Sequence, residues 1–129
     1  MNNKLELTII LPCLNEAKTL PTCINEAKNF LTNYHVNGKI LIANNNSTDN
    51  SKKIALNMGA DCVDIQKIGY GSAIINSLKE VTSTYCVIAD SDASYNLKEL
   101  MPFLEKLRSG YDLVIGNRFL GNIEKNSMP

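Results

Sequence analysis

A chain of 129 residues suits one domain built around one core. Lysine plus arginine and aspartate plus glutamate number 13 each, so the net charge is zero and no basic face for nucleic acid is implied. The longest apolar stretch, Leu7 to Leu14, is far too short to cross a bilayer, and the polar Met1-Asn2-Asn3-Lys4 ahead of it leads to the expectation of no secretory leader. Cys13, Cys23, Cys62 and Cys86 form no C-x-x-C pair, which argues against a metal cluster or a disulfide frame and for a reducing cytoplasm.

Leu7 to Pro12 is almost solidly apolar, as strands buried on both faces of a parallel sheet are. Leu20, Ile24, Ala27 and Leu31 then recur at helical spacing, with Thr19 as the expected cap and Pro21 in the first turn. Lys39 to Ala43 reads as a second strand, running into Asn44-Asn45-Asn46. Ser47 or Thr48 is expected to cap the next helix, with Asp49 near its positive end and Gly59 as its stop. Cys62 to Ile65 is a third strand, and Gly69-Tyr70-Gly71 opens a helix carrying Ile74, Leu78 and Val81. Tyr85 to Ala89 is a fourth strand that ends in Asp90-Ser91-Asp92. Leu97, Leu100, Leu104 and Leu107 mark a last helical stretch, which Pro102 is expected to restart. Tyr111 to Gly116 is a fifth strand.

Repeated strand–helix alternation predicts an α/β fold, a mostly parallel sheet with helices on both faces, over residues 1–129 as a single domain. Ligands of such sheets bind beyond the carboxyl ends of the strands. The segments Leu14-Asn15-Glu16, Asn44 to Asn46 and Asp90 to Asp92 would share that edge. Side chains two apart on a strand point the same way, so Asp90 and Asp92 can face one point, and a cation between them would relieve their repulsion. Hard oxygen ligands suit Mg2+ or Mn2+ with diphosphate oxygens completing the shell. The bland alternative is that either aspartate caps the helix that follows. Asn44 to Asn46 can match the donors and acceptors of a pyrimidine, or can simply form a turn. Pro12 stiffens the exit of the first strand, where backbone groups can hold a base or ribose; a plain turn with Glu16 in the first helical turn reads equally well. Gly69-Tyr70-Gly71 lacks the third glycine of a dinucleotide fingerprint and does not follow the first strand. Arg118, after the fifth strand, could counter a diphosphate. His35, the single histidine, reads as a solvated loop residue, so no Ser-His-Asp triad can be assembled on the edge.

Taken in order, Ile10-Leu11-Pro12 with Asn15-Glu16, Asn44 to Asp49, Gly69 to Ala73, Asp90 to Tyr95 and Gly110 to Phe119 resemble the family 2 glycosyltransferases. The Gly-Tyr-Gly loop, Ser94-Tyr95 and the stretch from Ile123-Glu124 to Met128-Pro129 are similar to one branch, the dolichyl- and undecaprenyl-phosphate glucosyl- and mannosyltransferases. The resemblance implies the GT-A fold and an inverting transfer from a UDP- or GDP-linked sugar to a polyprenyl phosphate. Asp90 and Asp92 would hold the divalent ion, with Asp90 also near the sugar and Ser91 between them. Pro12, Leu14, Glu16, Asn44 and Asn46 would line the nucleoside, and Gly71 and Arg118 would lie near the diphosphate. A peripheral place on the cytoplasmic face of a membrane would follow.

Three departures from the family pattern are visible. Asn44 stands where an aspartate usually contacts the base. Ala93 and Asn96 stand where the branch often has an acidic residue. The family continues past Pro129 into acceptor-binding elements, so the chain is expected to be truncated and to need a second-half polypeptide or membrane protein for turnover. The competing expectation is a non-catalytic nucleotide-sugar-binding module or gene relic.

Overall fold

The structure is a computed structural model, and it describes residues 5–45, 47–67, 69–89, 97, 100–110, 116–117 and 122–123. Four strands, β1 (Leu7–Cys13), β2 (Gly38–Asn44), β3 (Asp61–Asp64) and β4 (Tyr85–Ile88), form one parallel sheet in the order β3-β2-β1-β4. Every residue of β1 is buried, which accounts for its unbroken apolar run at the centre of the sheet. Helices α1 (Leu20–Asn33), α2 (Ser51–Asn57), α3 (Tyr70–Leu78) and α4 (Met101–Arg108) connect and cover the strands.

Strand alternation divides the core in two. Leu7, Ile9, Leu11, Ile40 and Ile42 face α1, α2 and α4, packing on Leu20, Ile24, Ala27, Phe30, Ala55 and Leu104. On the other face Ile10, Leu41 and Ala43 meet Ala73 of α3 together with Ile65. This is the α/β sandwich expected from the sequence. The chain moves outward from β1 to β3 over one face, then returns across the other face through α3 to place β4 beside β1. That reversal falls between β1 and β4, and sheets of this kind bind ligands beyond the carboxyl ends of the strands at such a point.

Pro21 lies in the first turn of α1 and Pro102 in that of α4, where proline removes no helical hydrogen bond. The latter is the restart expected at Pro102. The buried face of α3 runs through Ala73 and Ser77, whereas Ile74 is half-buried and Leu78 is exposed, contrary to the apolar stripe expected there. Small side chains let this helix lie close against Leu41 and Ala43. Of the expected fifth strand, residues 111–115 lie outside the described residues. The short strands β5 (Gly116–Asn117) and β6 (Asn122–Ile123) pair antiparallel. Arg108 at the end of α4 donates two hydrogen bonds, 2.6 and 2.7 Å, to the carboxylate of Glu6, which holds that carboxyl below its ordinary range. No helix among the described residues is long and apolar enough to cross a membrane.

Candidate functional site

Cys13, Asn44 and Asp64 stand in one register row at the carboxyl ends of β1, β2 and β3. Beyond them the β1–α1 and β2–α2 turns are stitched together. Asn15, in the left-handed region at φ 54°, turns its side-chain oxygen to the N–H groups of Thr48 (2.7 Å) and Asp49 (3.1 Å). Asparagine is among the few non-glycine residues that enter this region readily. In return Ser47 Oγ accepts from the N–H of Asn15 at 3.0 Å. The Asp49 carboxylate accepts from the N–H groups of Ser51 (2.9 Å) and Ala17 (3.1 Å) and from the Ser51 hydroxyl, and its pKa is lowered chiefly by Ser51.

Two capping expectations are corrected by this network. Ser47 and Thr48 do not cap α2, which starts at Ser51 with Asn50 before it and no side-chain cap bond. Their side chains serve the neighbouring turn through Asn15 instead. Thr19 occupies the cap position of α1, but its hydroxyl donates to the Glu16 carboxylate at 3.1 Å rather than accepting from the helix.

The asparagine run also divides by role. Asn44 is buried; its Nδ2 donates to Asp64 at 3.0 Å, and its Oδ1 accepts from the N–H of Ser47 at 3.4 Å. Asn45 is buried and faces the β3–α3 loop. Its Nδ2 donates to the carbonyls of Ile65 (3.3 Å) and Lys67 (3.0 Å), while its Oδ1 accepts from the N–H of Gly69 (2.9 Å). It is therefore the latch of the glycine loop, a role that the sequence did not reveal. Gly69 has φ 133°, a conformation that side chains rarely adopt. Gly71 lies in the first turn of α3, and among the described residues no atom lies within 4 Å of where a Cβ would sit, so no described neighbour requires glycine there.

A cleft of about 610 Å³ opens beside this edge, between α2 and the ends of β2 and β3, and Asn44, Lys52 and Asp64 are among its walls. Lys52 Nζ pairs with Asp64. That contact, followed by the Asn44 amide, lowers the Asp64 pKa, and the same carboxylate raises that of Lys52. Pro12 is buried at the end of β1, Leu14 is exposed beyond it, and Glu16 is half-buried with its N–H bonded to Ser51 Oγ at 3.2 Å. The structure thus brings Glu16 and Asn44 to one edge with Pro12 and Leu14 alongside. β4 can be followed to Ala89, whose N–H bonds the Ile10 carbonyl at 3.0 Å. Asn46, Asp90, Ser91, Asp92 and Arg118 lie outside the described residues. Among the described residues no group of three or more His, Cys, Asp or Glu could hold a metal ion. His35 is exposed in the turn after α1, as expected.

All four cysteines are free thiols. Burial, with the Asp64 carboxylate adding to it, pushes the Cys62 thiol up to about 11. At neutral pH it therefore stays protonated and is a poor nucleophile. Alkylation of Cys62 by iodoacetamide, followed by peptide mass spectrometry, is expected to be slow at pH 7 and to accelerate continuously toward pH 11. Rapid modification at pH 7 would contradict that assignment.

A parallel sheet reversing at β1 and β4, with polar turns gathered at its carboxyl edge, defines an open α/β scaffold of the kind whose ligands lie beyond the strand ends. The chain belongs to glycosyl transferase family 2, whose family model matches residues 8–129. It is 33% identical over 124 residues to the low-salt glycan biosynthesis hexosyltransferase of Haloferax volcanii, covering 95% of this chain and 30% of that protein. It is also 33% identical over 112 residues to an uncharacterised glycosyltransferase of Mycobacterium tuberculosis, covering 87% of this chain and 48% of the relative. The chain therefore spans less than half the length of these two relatives. Among solved structures it is similar to glucosyl-3-phosphoglycerate synthase of Mycobacterium tuberculosis bound to UDP, with TM-score 0.60 and 26% identity over 68% of this chain and 34% of that one. The same synthase has been solved with Mn2+, UDP and glucosyl-3-phosphoglycerate. The fold is thus the GT-A glycosyltransferase fold expected from the sequence.

Proposed function

We propose that this chain binds the donor of a sugar transfer, a UDP- or GDP-linked hexose with Mg2+ or Mn2+, at the carboxyl edge of its sheet. One observation carries the reading: the exits of β1 and β2 are laced into a single polar edge beside the β1–β4 reversal. Asn45 supports it by securing the loop that leads to the start of α3. Gly71 supports it too: it stands in the first turn of α3, and among the described residues no atom would meet a Cβ there. Open space over a helix N-terminus suits close approach of a diphosphate.

In this reading Pro12, Leu14, Glu16, Asn44 and Asn46 line the nucleoside, while Gly71 and Arg118 lie along the diphosphate. Asp90 and Asp92 are the metal ligands and Ser91 adds a polar contact between them; two carboxylates are the hard oxygen donors that Mg2+ and Mn2+ prefer. The ion, when bound, neutralises charge that develops on the departing diphosphate. The acceptor we propose is an anionic phosphate, with polyprenyl phosphate as the form implied by the motif order. The phosphoglycerate synthase, whose product also carries a phosphate, supports a phosphate-bearing acceptor. Such a nucleophile is already ionised, so this half of the site need not supply a general base.

The test is calorimetric titration of UDP and GDP, each with and without Mn2+, against the chain and its Asp92→Ala variant. Metal-dependent binding is expected, weakened in the variant by at least roughly 10-fold, a scale on which even outer-shell partners of a metal act. Absence of binding at millimolar nucleotide would overturn the donor-site reading.

A further inference from the structure

We infer that Glu26 is a positioning residue for the proposed metal ligands, fixing the point at which the chain that carries Asp90 and Asp92 rejoins the core; this rests on the donor-site reading above. Two described residues bracket that stretch. Ala89 precedes it, buried, with its N–H on the carbonyl of Ile10 in the central strand at 3.0 Å. Leu97 follows Asp92 by five positions and is fully buried. Its N–H donates to Glu26 Oε1 at 3.3 Å, a contact across 71 positions of the sequence. The stretch with both aspartates therefore begins and ends at fixed places.

The two anchors differ in kind. On the near side β4 is held by its ladder to β1. On the far side the Leu97 side chain belongs to the core cluster that includes Cys23, Ala27 and Phe30 of α1. Apolar burial is non-directional and does not by itself set the backbone, whereas a hydrogen bond does. Leu97 is closed to solvent, so water cannot take over as the acceptor. Without Glu26 a buried N–H is orphaned, and the chain must shift to find another partner. Metal ligands tolerate displacements of only about 0.5 Å.

Glu26 also stands on a rigid element. It is half-buried at the border of the buried face of α1, about a turn from Cys23 and from Phe30. The turn leading into the same helix carries Glu16 and Ala17, whose N–H groups bond Ser51 and Asp49. One helix thus ties the laced polar edge to the far end of the acidic stretch. Among the described residues Glu26 forms no ion pair. Nothing in the sequence separated it from a solvated helix glutamate; the bond to Leu97 does.

The experiment measures UDP and GDP binding by calorimetry, each with and without Mn2+, for the intact chain, Glu26→Ala and Glu26→Gln, together with hydrogen exchange at the Leu97 amide. In Glu26→Ala the tightening given by Mn2+ is expected to fall about 10- to 100-fold, the scale on which outer-shell partners of a metal act, with metal-free affinity unchanged. Leu97 exchanges faster in that variant. Glu26→Gln keeps an acceptor oxygen and restores both readouts. A glutamine variant as weak as the alanine one overturns the role, since charge and not the bond would then be responsible. Unprotected exchange at Leu97 in the intact chain overturns it without any variant. A Mn2+ effect that survives intact in Glu26→Ala overturns the role of Glu26 and leaves the donor site standing. No Mn2+ effect in the unaltered chain overturns both.

Discussion

Asn45→Ala lowers the stability of the chain by about 2–3 kcal/mol, because each buried polar group stripped of its partner costs roughly 1–3 kcal/mol. Three contacts vanish together: those from Nδ2 to the Ile65 and Lys67 carbonyls and that from the Gly69 N–H to Oδ1. Ile65 is buried, so its carbonyl has little access to replacement water. The main-chain bond from Asn45 N–H to the Cys13 carbonyl, 2.8 Å, survives and keeps β2 in register. The damage is therefore confined to the β3–α3 loop. Urea unfolding should show the lower midpoint, and hydrogen exchange should show faster exchange at the Gly69 amide. Nucleotide affinity should weaken in parallel if the loop serves a diphosphate. An unchanged midpoint would mean that the latch contributes nothing to stability.

Gly38→Ala is the second large effect. A Cβ there would lie 2.7 Å from the Leu7 carbonyl oxygen and 2.8 Å from Leu31 Cδ2. Leu31 can rotate away, but Leu7 belongs to the central strand, paired to Gly38 on one side and to Tyr85 on the other. The backbone must separate where β1 and β2 begin, and overpacking of this kind costs about 1–3 kcal/mol. At about 2.1 cal/mol/K of unfolding entropy per residue, that lowers Tm by roughly 4–11 °C. Differential scanning calorimetry reads the shift directly. A Tm within a degree of the parent would show that the strands part there without cost. Nucleotide binding should be untouched while the chain is folded, since Gly38 lies at the opposite end of β2 from Asn44.

Much of the fold was legible because its signals are local. Apolar runs bounded by polar turns marked β1 to β4 to within a residue or two, and the prolines at 21 and 102 marked helix starts. The stripe on α3 misled because Ile74 and Leu78 look like core residues, whereas the smaller Ala73 and Ser77 make the close approach. The candidate site was only partly legible. Asn44 and Glu16 could be named from their positions after strands. Asn15, Asn45, Asp49 and Asp64 could not be distinguished from ordinary turn residues, since the contacts that tie them to other turns and strands span about twenty to thirty-four positions.

Alternation of strand and helix, chain polarity and the order of motifs are properties of neighbouring residues, and from them the amino-acid sequence alone pointed to an α/β fold and a resemblance to glycosyltransferase family 2. The strand order β3-β2-β1-β4, the alignment of Cys13, Asn44 and Asp64, and the division of labour between two adjacent asparagines required the folded chain. Hydrogen bonds between distant turns depend on which strands become neighbours and in what register. That choice is made by packing the whole sheet between its helices, and no short window of residues encodes it.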